Sequence, residues 1–220
     1  MSKQITFLKL FTIELALTAA CFSPAMAQPI NPHQSVSAQL LVAAKQGDLQ
    51  GILKSLERGA APNSRNRQGK TALFLAIEKN QIDIVKLMLD AGADVNLASL
   101  EKVTPLIAAA YAGNSDIVGL LLNKGAQLED TDRIRKSALV YAAGMGHTKV
   151  VEQLLTAGAQ IDAAYADGLT PLMWAAGQGH TDTVKLLLSK GADAARKDDR
   201  GLTAADMAKE AGHTGVLGLL

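Results

Sequence analysis

Three histidines, His147, His180 and His213, recur at intervals of 33 residues and so suggest a ladder of imidazole metal ligands. Units repeated at that interval pack as layers about 8 to 10 Å apart, whereas nitrogens sharing one zinc ion lie about 2 Å from it. The three therefore cannot share an ion and read as one turn residue per repeat. Gly69-Lys70-Thr71 has the ending of a phosphate-binding loop, but that pattern needs glycine five residues before Gly69, where Ser64 stands. Gly144-Met145-Gly146 and Gly177-Gln178-Gly179 read as helix-ending turns, not dinucleotide loops. Asp and Glu fall mostly where loops and helix surfaces are expected. No nucleophile, base or ligand cluster breaks the repeat, so no catalytic residue, metal ligand or cofactor is assigned and the chain is read as a non-enzyme.

What positions these residues is a repeated unit, seen most fully from Gly168 to Arg200. Thr170 supplies a hydroxyl to cap a helix N-terminus, and Pro171 suits the first helical position, where a missing N–H costs nothing. Leu172, Ala175 and Ala176 give that helix an apolar stripe, and Gly177-Gln178-Gly179 ends it, because glycine accepts the left-handed backbone at which helices stop. Thr181 and Asp182 are the expected caps of a second helix carrying Val184, Leu187 and Leu188, closed by Gly191. Ala192 to Arg200 has no helical stripe and reads as an extended loop.

The helix start recurs at Thr71, Thr104, Ser137, Thr170 and Thr203, and Ala38 continues the register backwards. Gly47, Gly113, Gly146, Gly179 and Gly212 align, with Asn80 the exception, as do Gly59, Gly92, Gly125, Gly158 and Gly191. The pattern predicts six units, 36–68, 69–101, 102–134, 135–167, 168–200 and 201–220. The end units read as caps, since a terminal layer faces water on one side. Lys54 and Ser55 replace the Leu87 and Met88 of the second unit. The last unit stops in its second helix, leaving Val216, Leu217, Leu219 and Leu220 the least well explained apolar residues.

Hydrophobic content of 48%, charged content of 20% and a formal net charge of +1 describe a foldable chain with no polyanion implied as partner. Aromatic residues are 4%, so the core is expected to be built from Ala, Leu and Val. Lys3 and Lys9, the apolar run from Leu10 to Phe22, and Ala25-Met26-Ala27 before Gln28 read as a cleaved export signal, residues 1–27. A membrane anchor is disfavoured, because Glu14 interrupts a run already shorter than the roughly 20 residues of a spanning helix. A lipid anchor through Cys21, in Leu17-Thr18-Ala19-Ala20-Cys21, is the alternative. Cleavage removes two of 22 basic and one of 21 acidic residues, leaving 20 of each and no cysteine, which suits an oxidising periplasm. Residues 28–35, with Pro29 and Pro32, read as a flexible leader.

A period of 33 with Thr104-Pro105-Leu106, Thr170-Pro171-Leu172, Gly179-His180 and Gly92-Ala93-Asp94-Val95-Asn96 resembles the ankyrin repeat, over about residues 36–220. The resemblance implies an all-α solenoid of stacked helix-turn-helix units with extended loops, about six units including a degenerate N-terminal and a truncated C-terminal cap. One departure is that the family's His after Thr-Pro-Leu is replaced by Phe74, Ile107, Val140, Met173 and Asp206, so packing must replace its hydrogen bonds.

The resemblance also implies that partners bind a concave face made by the loop tips and first helices. The variable apolar residues there cluster in the middle units: Leu100, Val103, Tyr111, Ile134, Met145, Tyr165 and Leu169. With Arg133, Lys136 and Asp167 around them they would form one patch with an apolar centre and polar rim. On this reading Tyr165→Ala leaves folding nearly unchanged. Val103 and Leu169 could instead fold inward against the helix starts. Tyr141 and Trp174 are read as half-buried packing residues. The expected function is to bind or stabilise another envelope protein, as a monomer, with no nucleic acid and no membrane insertion after signal removal. The alternatives are an inhibitor of immunity type that neutralises a periplasmic enzyme or toxin, and a small-molecule binder or enzyme.

Overall fold

A computed structural model describes residues 35–220; the expected signal, the alternative anchor at Cys21 and residues 28–34 of the leader lie outside the described residues. Twelve α-helices follow one another in pairs. They are α1 (Val36–Gln46) and α2 (Leu49–Glu57), α3 (Ala72–Glu78) and α4 (Ile82–Asp90), α5 (Pro105–Ala112) and α6 (Ser115–Asn123). The series continues with α7 (Ala138–Gly144) and α8 (Thr148–Thr156), α9 (Pro171–Gly177) and α10 (Thr181–Ser189), α11 (Ala204–Ala211) and α12 (Thr214–Leu217). Among the described residues there is no strand, only an isolated bridge between Tyr165 and Leu169. Each first helix packs on the first helix of the next pair, and from α4 onward the second helices do the same, giving a two-layer solenoid of six units.

The helices begin where side chains can replace missing backbone partners. Thr71, Thr104, Thr170 and Thr203 each accept the N–H three residues on, and Ser35, placed in the expected leader, caps α1 in the same way. Each such cap contributes about 1 kcal/mol. Ser137 makes no such bond. The second helices differ from expectation. Thr181 and Asp182 are not caps; His180 holds the cap position without a side-chain bond, whereas Asp48 and Asn114 at the same position do cap.

The core follows the period. Ala43, Ala76, Ala109, Ala142, Ala175 and Ala208 form one fully buried column, whose small size lets successive first helices approach closely. Leu40, Leu73, Leu106, Leu139 and Leu172 form a second column, and Ile52, Val85, Val118, Val151 and Val184 a third. A fully buried Leu contributes about 1.5 to 3 kcal/mol. Phe74, Ile107, Val140 and Met173 are buried where the family's His would stand, so packing does replace it in four units. In the last unit Asp206 takes the same position exposed and closes a capping box with Thr203.

The end caps are less polar inside than their sequences suggest. Ser55 is buried, its hydroxyl donating to the Gly51 carbonyl at 2.7 Å, and Gln39 is buried with its Oε1 accepting from Arg58. At the other end Val216 is buried, and Leu217, Leu219 and Leu220 pack against the core.

Units are tied along three lines. At the loop bases, Asp94, Gln127, Gln160 and Asp193 each donate a backbone N–H to a side chain of the preceding loop: Asn63, Asn96, Glu129 and Asp162. At the loop tips, Leu100 donates to the Gln68 carbonyl, Arg133 to Glu101 and Asp199 to Asp167. Among the described residues no such bond joins the third tip, at Ile134, to the fourth, at Ala166. On the helix side, His147 Nε2 lies 3.0 Å from the Tyr111 carbonyl and His180 Nε2 lies 2.9 Å from the Gly144 carbonyl, so each ring donates to the preceding unit. His147 and His180 are thus inter-unit rungs. Each periodic histidine also lies over a turn glycine of the preceding unit: a Cβ on Gly113, Gly146 or Gly179 would come within 2.6 Å of the His147, His180 or His213 ring.

Candidate interaction surface

The face formed by the loop tips and first helices is shaped by two columns of variable residues. One holds Val42, Leu75, Ala108, Tyr141 and Trp174; the next holds Lys45, Glu78, Tyr111, Gly144 and Gly177. Bulk in the first column faces a missing side chain in the second: a Cβ on Gly144 would meet the Trp174 ring at 3.5 Å. The result is a hollow of about 280 Å³ between α7 and α9, lined among others by Lys136, Tyr141, Met145, Trp174, Gln178 and His180.

Its walls are fixed by contacts within the chain. Buried Asp132 accepts the backbone N–H groups of Ile134 and Lys136 on one oxygen and the Tyr141 hydroxyl on the other, the last at 2.6 Å. The Tyr111 ring meets Tyr141 edge-on, with centroids 5.6 Å apart. Lys136 Nζ lies 4.3 Å from the Trp174 ring centre and 5.2 Å from that of Tyr141. Such contacts contribute about 0.5 to 2 kcal/mol each, more as water is excluded. The Tyr165 ring stacks on Trp174 at 6.1 Å. A second hollow on the same face, about 360 Å³ between α1 and α3, is lined by Leu41, Leu75 and the charged Lys45, Glu78 and Lys79.

The structure separates the residues that the sequence placed in one patch. Leu100, Ile134 and Met145 are exposed at 54%, 53% and 41%, and among the described residues the only other large hydrophobic side chain so exposed is Leu49. Arg133 is exposed and pairs with Glu101 at 3.4 Å. Tyr111 is half-buried. Val103 and Leu169 are half-buried against the core, folded inward at the helix starts. Lys136 is buried over the two rings, not a charge of the rim. Tyr165 is 6% exposed, which corrects its reading as a solvent-facing contact.

The reason for the Tyr165 correction lies in the loop. Asn66, Ser99, Asp132, Tyr165 and Asp198 share one repeat position, and Asn66, Asp132 and Asp198 each accept two N–H groups of their own loop. This position points inward to stabilise the turn. Tyr165 cannot accept in that way; its loop forms a short 3-10 turn at 166–168, and its ring fills the space against Trp174. Comparing that one column across repeats would have exposed the substitution. Trp174, assigned to packing on sequence alone, is half-buried and also lines the hollow.

Nothing in this arrangement aligns a nucleophile with a base. Among the described residues no three His, Cys, Asp or Glu side chains gather to hold a metal ion, and no helix is long and apolar enough to cross a membrane. Stacked helix pairs with a ladder of projecting loops define a helical repeat solenoid whose site is a surface. A family model of ankyrin repeats in three copies matches residues 40–132, 91–165 and 139–220, and the chain belongs to that family. Ankyrin-repeat proteins are in general protein-protein interaction modules and typically non-catalytic. No curated protein matches the chain.

Proposed function

We propose that this chain is an exported binding module of the cell envelope that holds and stabilises another protein through its loop tips and first helices. The observation that carries the reading is the hollow between α7 and α9, whose aromatic walls are fixed by the chain's own contacts and bordered by exposed Met145. Exposed Ile134 stands two residues before Lys136 on the same loop. Apolar side chains around a preformed aromatic pocket, with charges outside, have the composition of an interface centre and its rim. A pocket that needs no reordering lowers the cost of association. Export is supported by Lys3, Lys9, the apolar run and Ala25-Met26-Ala27.

The test expresses the full coding sequence in a bacterial host, measures the intact mass of the product in each cell fraction, and uses that product to capture proteins from envelope extract. Wild type is compared with Ile134→Asp/Met145→Asp, whose side chains are exposed at 53% and 41%. The expected result is loss of residues 1–27, periplasmic recovery, and a partner held by wild type and released by the folded double variant. The purified partner should then melt at higher temperature with the chain present; loss of its activity instead would make the chain an inhibitor. Identical capture by both forms, or no capture by either, overturns the face. Retention of residues 1–27 overturns export.

A further inference from the structure

We infer that the partner of this face is an acidic protein segment carrying one bulky apolar anchor, with the acidic residues lying on the second and third loop tips and the anchor in the hollow between α7 and α9. The inference rests on the reading of this face as the binding surface and specifies its partner.

The first observation is backbone strain occupied by charge. One repeat position is left-handed in every loop tip: Gly69 at φ 74°, Lys102 at 60°, Arg135 at 64°, Gly168 at 73° and Gly201 at 81°, and on the fourth tip the preceding Asp167 is left-handed too, at 64°. Three units use glycine, which adopts this conformation without steric cost, whereas a long side chain does so only against one. Lys102 and Arg135 are exposed, and among the described residues no salt bridge or side-chain hydrogen bond engages either. They are neighbours in the stack, on consecutive loops. Strain that the fold does not use is the mark of a residue kept for something outside the fold.

The second observation is the surrounding charge. On the first three units of this face the acidic side chains are engaged, Glu78 with Lys70 at 2.6 Å and Glu101 with Arg133 at 3.4 Å. Among the described residues exposed Lys45, Arg67 and Lys79 have no such ion pair, so this end of the face is positive although the whole chain is formally +1. Exposed Asp167 reverses the sign on the fourth tip, whereas on the fifth exposed Asp199 stands between exposed Lys197 and Arg200, the latter paired with Asp198 at 2.7 Å. A polarised face orients a partner of complementary charge. The same pattern argues against a nucleic acid, whose unbroken phosphate backbone would run from the basic second and third tips onto Asp167.

The hollow sits between α7 and α9, the helices that the third and fourth loops lead into, where the tip ladder lacks its rung. Its volume of about 280 Å³ and its Tyr141 and Trp174 walls suit a single apolar side chain.

The test selects random displayed peptides on the immobilised full chain and measures each enriched peptide against wild type, Lys102→Gly/Arg135→Gly and Ile134→Asp/Met145→Asp. Glycine suits the backbone at both tips, so the first variant should melt no lower than wild type and its effect on binding is read without loss of fold. The expected result is enrichment of Asp and Glu beside one bulky apolar residue, binding at least tenfold weaker to the glycine variant, and affinity that falls with added salt. Enriched peptides without acidic bias, or bound equally by the glycine variant yet lost with Ile134→Asp/Met145→Asp, overturn the acidic partner alone. Peptides insensitive to both variants, or no enrichment, overturn the face itself. A single-stranded oligonucleotide that displaces the peptides and depends equally on Lys102 and Arg135 assigns the strip to nucleic acid and overturns the inference.

Discussion

Replacing Gly146 with alanine tests whether the histidine rungs hold the solenoid together. Gly146 has φ 73°, and an added Cβ would lie 2.6 Å from His180 Nδ1 and 2.8 Å from its Cγ. The left-handed backbone costs an alanine about 1 to 2 kcal/mol. The contact adds to this, because no rotation of a methyl relieves it: the imidazole must withdraw and give up its 2.9 Å bond to the Gly144 carbonyl. That bond contributes about 0.5 to 1.5 kcal/mol net. The two effects together predict a loss of about 1.5 to 3.5 kcal/mol. Gly212 provides the control, since it occupies the same turn of the last unit at φ 79° with nothing within 4 Å of an added Cβ. Gly212→Ala should therefore lose only the backbone cost. Urea unfolding followed by circular dichroism, with midpoints compared at constant slope, measures both. In a His180→Ala background the excess cost of Gly146→Ala should vanish, because the clash and the bond disappear together. Equal losses at Gly146 and Gly212 in the wild-type chain, or an excess that survives His180→Ala, would refute the rung.

Tyr165→Ala should destabilise the chain by about 3 kcal/mol, in the range for removing a buried aromatic ring, whereas Ile134→Asp in the neighbouring loop should change stability by no more than about 0.5 kcal/mol. Thermal melts of the two variants side by side decide this, and equal melting temperatures would return Tyr165 to the surface. In the last unit the Thr203 N–H, then its hydroxyl, donated to Asp206 hold that carboxyl below the ordinary aspartate range. A depressed folded-state value means that the stabilisation is present above the unfolded value and lost as pH falls through the folded one. Asp206→Asn should therefore flatten the acid limb of the stability curve below about pH 4 and leave its neutral part with the same shape; an unaltered acid limb would count against the capping box.

The fold was legible because its signals are local and repeated. A Thr cap, a stop glycine and an apolar stripe each occur at fixed spacing in unit after unit, so an ambiguous copy such as Ala38 or Asn80 is resolved by its register. Contacts between units were harder to read. The position of His180 looked like an ordinary turn because the sequence does not show that a carbonyl of the preceding unit lies 2.9 Å from its ring. Ser55 looked like a solvent-facing cap residue, yet a hydroxyl can be buried when a helix carbonyl four residues back accepts from it. Tyr165 looked exposed because loop-tip residues usually are. Its position is a loop site whose side chain turns inward, as the bonds made by Asn66, Asp132 and Asp198 at the same position show.

These departures converge on one junction. Between the third and fourth loops the base remains tied, by Gln160 to Glu129, and the helix side between α7 and α9 remains tied, by His180 to the Gly144 carbonyl. Among the described residues the tip bond alone is missing there. At the same junction Tyr165 replaces a turn-forming acceptor, Gly144 gives room to Trp174, Arg135 occupies a glycine's conformation, and Ile134 stands in water. Elsewhere the ties between units recur with few exceptions, so a unit gains little structurally by abandoning them. A concentration of exceptions in one place, each with its own local cost and together surrounding one hollow, is what selection for a contact outside the chain would leave behind.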